Sequence, residues 1–177
     1  MKNIIVLFLF IVPIVFGCTN SNDIDYDKYF DSLADLDAKS AIALANEWRF
    51  SAPKITSFVT TKEVVFEFPN GKKVIKTLPD SLVYIAIAPY INTTHTCETH
   101  YPSSCQGELT EMTFFLTTKD KGGNLLYEGE ITTLKNGFFE LWLPRGTDVQ
   151  LSIKYGKLLG SETIPTFDGS RTCITTI

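Results

Sequence analysis

From residue 63 onward the chain is cut into short extended pieces by turn signals, and that spacing leaves few folds open to it. Pro69-Asn70-Gly71 splits EVVFEFPNGKKVIKTLP (63–79) into two alternating arms, the pattern of a β-hairpin. Gly122-Gly123, Asn136-Gly137 and Pro144-Arg145-Gly146 separate further strand candidates: EMTFFLTT (111–118), NLLYEGEITT (124–133), GFFELWLP (137–144) and DVQLSIKYG (148–156). KLLGSETIPTF (157–167) reads as another, and the chain ends on TCITTI. Short strands at this interval predict an antiparallel β-sandwich. LVYIAIAPYI (82–91) differs from the rest, being apolar almost throughout, as a strand buried on both faces must be. Phe138, Trp142 and Tyr155 fall within strands and read as core residues, not as a carbohydrate platform.

Ahead of the strands, residues 26–48 change period. Phe30, Leu33, Ala41, Leu44 and Trp48 fall near one helical face, and Asp35 or Asp37 is placed to cap a second helix. Trp48 is expected to seat that face on a sheet. The fold class is therefore α+β. A small helix-plus-hairpin N-terminal part, 26–80, precedes a C-terminal antiparallel β-sandwich-like domain, 81–177.

The first residues look like a targeting signal. Lys2 precedes an apolar run over 4–16, and Gly17-Cys18 follows. This is the layout of a secretory signal peptide (1–17), too short to span a bilayer as a helix. Val15-Phe16-Gly17-Cys18 also resembles a bacterial lipobox, which makes Cys18 the lipidation site and 18–25 a tether. The expected location is outside the cytoplasmic membrane, lipid-anchored in the envelope on its periplasmic or surface side, where thiols tend to be oxidised. Net charge is only −4, with no Lys/Arg run, which argues against nucleic acid as a partner.

The chemistry concentrates in HTCETHYPSSC (95–105), which holds both histidines and two of the four cysteines. With Cys18 acylated, Cys97, Cys105 and Cys173 remain, an odd number that leaves one thiol unpaired. Closing Cys97 to Cys105 would give ~2.5 kcal/mol by loop entropy, and closing Cys105 to Cys173 over ~4, so stability selects neither. His95 and His100 add imidazoles beside the sulfurs. Thiolates with imidazole select Cu(I), with zinc as the rival. Three readings stay open on the residues alone: a disulfide with surface histidines, a metal site, and a redox site. Other chemistry fails on spacing. Asp23, Asp25 and Asp27 start like a calcium loop, but Lys28 and Ala34 stand where Gly and Glu are needed. No Gly-x-Ser-x-Gly and no phosphate-cradling glycine loop is present.

Several segments together resemble the CueP family of bacterial envelope copper-resistance proteins. They are LANEWR (44–49), EVVFEFPNG (63–71), APYINTTHTCETHY (88–101), CQGEL (105–109), NGFFELWLPRG (137–146) and TFDGSRTCITT (166–176). The resemblance implies a copper-binding protein that holds Cu(I) with Cys97, Cys105 and Cys173, and with His100 in preference to His95. It also implies copper resistance, Cu(II) reduction, a dimerising N-terminal part, and transfer of copper to a partner such as a periplasmic superoxide dismutase. Two other readings compete with it. One is a thiol–disulfide oxidoreductase, though no Cys-x-x-Cys is present; the other is a structural sandwich with Cys97 and Cys105 as a staple.

Overall fold

Two acidic side chains start the helices. In the computed structural model, which describes residues 24–51 and 54–177, Asp25 Oδ1 accepts from the N–H groups of Asp27 and Lys28 and opens α1 (Tyr26–Ser32). Asp37 Oδ1 accepts from the Ser40 N–H at 2.7 Å and opens α2 (Ala38–Ser51). Residues 26–48 therefore make two helices, with Asp37 and not Asp35 as the second cap. Ala38, Ala41, Ile42, Ala45 and Trp48 form the buried face of α2, while Leu44 is only half-buried. The leader, Cys18 and Asp23 lie outside the described residues. No helix among those described is long and apolar enough to cross a membrane.

The strands are β1 (Thr56–Val59), β2 (Glu63–Glu67), β3 (Lys73–Thr77), β4 (Leu82–Ile87), β5 (Thr113–Lys119), β6 (Leu125–Thr132), β7 (Phe139–Pro144), β8 (Asp148–Tyr155), β9 (Leu158–Pro165) and β10 (Cys173–Ile174). They form three sheets, ordered β1-β2-β3, β10-β4-β7 and β6-β5-β8-β9. The expected hairpin is β2–β3. Its turn closes with Gly71 N–H donating to Phe68 O, Gly71 taking the left-handed φ of 84° that glycine adopts without strain. All neighbouring strands run antiparallel except β10, which lies parallel to β4.

The central sheet explains the apolar run at 82–87. Alternate side chains point to opposite faces of a strand. Val83, Ile85 and Ile87, with Phe139, Leu141 and Leu143 of β7, pack on Leu116, Leu151 and Ile164 of the four-stranded sheet, and this is the sandwich. Tyr84, Ala86 and Ala88, with Phe138 and Cys173, pack on Trp48, Val64 and Phe66 from the helices and the first sheet. Both faces are buried, so the strand is apolar but for the phenol of Tyr84, whose OH donates to Glu140. β4 stops at Ile87, four residues before the apolar run ends, and Tyr90 and Ile91 are exposed where the chain leaves the sheet. Phe138 is fully buried and Trp142 partly so, as expected of core residues. Tyr155, at the end of β8, is instead exposed.

Candidate metal centre

Between β4 and β5 the chain makes a long excursion, and side chains pin it at both ends. Glu108 accepts hydrogen bonds from the N–H groups of Ile91 and Asn92, at 2.7 and 2.9 Å, and from the Asn92 side chain at 3.0 Å. These donors, led by the Asn92 and Ile91 N–H groups, hold its carboxyl down to about 2. Gly107 passes so close to Gly137 that a Cβ there would sit 2.6 Å from the Gly137 carbonyl oxygen. Its N–H donates to Asn136 O at 2.7 Å. The CQGEL segment is thus fixed by a close backbone crossing and a clamped loop start.

The middle of the excursion is laced to the C-terminal strand. Glu98 O accepts from the N–H groups of Thr172 and Cys173, at 2.9 and 3.1 Å. His100 N–H donates to Thr172 Oγ1, which donates in turn to Val59 O at 2.6 Å. Val59 N–H donates to His100 O at 2.9 Å, so one backbone bridge joins β1 to the loop. A turn in which Tyr101 O accepts from the N–H groups of Ser104 and Cys105 swings Cys105 back toward Cys97. Cys173, opposite Ala86 in the parallel ladder, supplies the third sulfur from below and is fully buried.

The three sulfurs meet. Cys97 Sγ and Cys105 Sγ are 3.7 Å apart, and all three Sγ atoms lie within 4.8 Å of one another. All three are free thiols. Metal–thiolate bonds of about 2.3 Å place the sulfurs of a shared ion roughly 4 Å apart, so one ion fits among them with little adjustment. A set of sulfurs with no carboxylate in it suits a soft cation.

The thiols do not share their protons equally. Cys105 is drawn far below the ordinary thiol range by hydrogen bonding from Cys173 first, then Cys97, with His100 adding to the effect. Cys97 is pushed up to about 11, chiefly by Cys105, and Cys173 is pushed up by Cys105, by Cys97 and by burial. Of the three, Cys105 is the sulfur most readily ionised, because the other two thiols face it as donors. Tyr101 N–H also points at its sulfur, at 3.3 Å.

His100 sits beside this cluster, fully buried. Its ring packs against Phe138 at 4.7 Å and Tyr84 at 5.9 Å between centroids. Among the described residues neither ring nitrogen makes a well-formed hydrogen bond, although the ring is near enough to Cys105 to act on its sulfur. His95 is placed differently. It is exposed and lines a cavity of about 270 Å³ with Gln106 and Glu108, outside the sulfur cluster. The structure thus brings together Cys97, Cys105 and Cys173 and leaves both histidines outside that set, His100 buried on the Cys105 side and His95 exposed. Sequence reading missed Tyr84, whose OH donates to Glu140 at 2.8 Å beneath the site, and Arg49, at the end of α2. Neither lies near a cysteine in sequence, so no local signal marks them.

The model of a family described as periplasmic copper-binding protein CueP matches residues 43–177. The chain belongs to the CueP family. Among solved structures, the crystal structure of S.CueP superposes with a TM-score of 0.75 at 26% identity, covering 86% of this chain and 96% of that one. No curated protein sequence matches the chain. Copper binding is therefore the family's property, and the cluster of three cysteines is where this chain could hold a metal.

Proposed function

We propose that this chain captures copper outside the cytoplasm and holds it as Cu(I) on the thiolates of Cys97, Cys105 and Cys173, contributing to copper resistance. The observation that carries the reading is the meeting of two sulfurs from one loop with a third from the C-terminal strand, beside a buried imidazole. A buried polar atom left unpaired costs about 1–3 kcal/mol, which is reasonable at a position awaiting a ligand. His100 is accordingly placed ahead of His95 as the nitrogen that completes the site.

Cys105, the most readily ionised of the three, is the natural first ligand. Cys97 and Cys173 then exchange their protons for metal, so copper should be retained less well as pH falls. The same sulfurs supply electrons. Two thiolates that close a disulfide release two electrons, one to each of two Cu(II) ions. The remaining thiolate with His100 holds one of the resulting Cu(I) ions, and the other leaves. Transfer to a copper-accepting protein such as a periplasmic superoxide dismutase, pairing through residues 26–80, and anchoring through Cys18 belong to this reading on the strength of the resemblance and the leader sequence.

The deciding experiment measures Cu(I) and Zn(II) stoichiometry on reduced protein by competition with chelators, and counts free thiols before and after Cu(II) addition. One tightly held Cu(I), a weaker Zn(II), and the loss of two thiols per two Cu(II) are expected. Zinc held as tightly as Cu(I) would replace the copper assignment, and an unchanged thiol count would remove the reduction step.

A further inference from the structure

α2 ends beside the thiols, and its last basic residue carries unmet hydrogen-bonding capacity. Arg49 has ordinary reasons to be where it is: a cation suits a helix C-terminus, and its guanidinium lies 5.4 Å from the Phe50 ring centroid. Those reasons do not account for its nitrogens. Nη2 donates to Gln106 Oε1 at 2.8 Å, and Gln106 Nε2 donates to Gly107 O, which ties the guanidinium to the residue next to Cys105. Nε and Nη1 are screened from solvent and, among the described residues, have no acceptor. No ion pair with a carboxylate involves Arg49 among those residues either. Burial pulls the guanidinium below its usual range, and the charge that acts against this is the Cys105 thiolate.

Loading the site changes its charge. Three thiolates around Cu(I) carry a net charge of −2, and two thiolates with a neutral imidazole carry −1. The ligand set contains nothing to balance this, and a partly buried anion is costly unless a cation or donors face it.

Building on the thiolate–copper reading, we infer that Arg49 is the counter-charge of the metal-loaded site. Held beside Cys105 by Gln106, its guanidinium stabilises the anionic thiolate–Cu(I) complex without touching the metal. Arg49 is in this sense a positioning residue: it acts on copper through a sulfur.

The test compares full-length reduced wild type with Arg49→Met, which keeps length and loses charge, and Arg49→Lys, which keeps charge. Cu(I) affinity is read by chelator competition, sulfur coordination by X-ray absorption, and folding by thermal melting. Removing a charge-assisted interaction should weaken Cu(I) binding by roughly tenfold or more in Arg49→Met, with unchanged sulfur coordination, and Arg49→Lys should recover most of it. An Arg49→Met affinity within about twofold of wild type overturns the inference. So does an equal loss in both variants, or a loss that comes with altered sulfur coordination or a lowered melting temperature, since each assigns Arg49 to packing. Wild-type protein that fails to hold Cu(I) on its cysteines would instead sink the copper reading itself.

Discussion

The two faces of the central sheet are built for different ends. On one face, Val83, Ile85 and Ile87 meet Leu116, Leu151 and Ile164, and that core is apolar apart from a threonine, Thr118, at the end of β5. On the other, the alternate residues of the same strands share their core with Cys173 and His100, and with the phenol of Tyr84. The first face leaves one hydroxyl unpaired, Thr118 Oγ1, and carries no ionisable side chain. The second holds a buried imidazole without a well-formed hydrogen bond and three cysteine sulfurs within 4.8 Å of one another. A strand alternates its faces at every residue, so one short segment serves both purposes. The sandwich face supplies rigidity, and the mixed face uses that rigidity to hold reactive groups where relaxation would otherwise scatter them.

The comparison breaks most sharply under a reciprocal pair of substitutions. Cys173→Ser on the mixed face removes a ligand, and Cu(I) affinity should fall by more than about a hundredfold, beyond the effect of outer partners. Its melting temperature should change little. Leu116→Ala on the sandwich face removes a fully buried side chain and should cost about 2–5 kcal/mol in denaturant unfolding. Cu(I) affinity of the protein that remains folded should then match wild type. Copper retained by Cys173→Ser, or affinity lost in Leu116→Ala, would show that the faces do not divide the work as described.

A subtler substitution should move the two properties in opposite directions. His100→Leu replaces an unpaired buried imidazole with an apolar side chain of similar size among Phe138 and Tyr84. Relieving the unpaired group should raise apo stability, by up to about 1–3 kcal/mol. Cu(I) affinity should fall at the same time. Saturating copper would then reverse the order, because a ligand stabilises the form that binds it more tightly. Melting curves with and without Cu(I) read both effects, and a variant less stable in both conditions would make His100 an ordinary core residue.

The two faces were not equally legible in the sequence. The sandwich announced itself through turn residues and alternation, and the doubly buried strand through its unbroken apolar run. Those patterns are local. The mixed face depends on contacts between residues far apart in the chain, which no period records. β1 carried no strong signal, being four residues held by pairing with β2 and a bridge to His100. The parallel seat of β10 beside β4, which lifts Cys173 to the other sulfurs, follows from Thr172 and Glu98 and not from any motif. The three cysteines stood out as the thiols left once Cys18 is acylated, but spacing alone left disulfide, metal and redox readings open, and the metal role came with the family resemblance. Placing His100 over His95 also came from there; of the two imidazoles, that of His100 is buried and that of His95 exposed.

The smallest effect concerns how the loop is tied to the rigid face. Glu108 fastens the start of the excursion by accepting from the N–H groups of Asn92 and Ile91 and from the Asn92 side chain, and so its carboxyl stays ionised down to about 2 against an ordinary 4.5. A carboxyl held below its ordinary value favours the folded state at any pH above that value. The advantage shrinks as pH falls below 4.5 and is gone once pH passes about 2. Because the group is fully exposed, solvent screens it and the contribution to global stability is small. Glu108→Gln should therefore lower the melting temperature slightly and uniformly above pH 4.5, with the gap to wild type closing as acid is added. Amide hydrogen exchange should speed up at Ile91 and Asn92 while β4 stays protected. If exchange quickened across β4 as well, the clamp would belong to the sheet, and the loop that carries Cys97 would be less independent of the rigid face than its hydrogen bonds indicate.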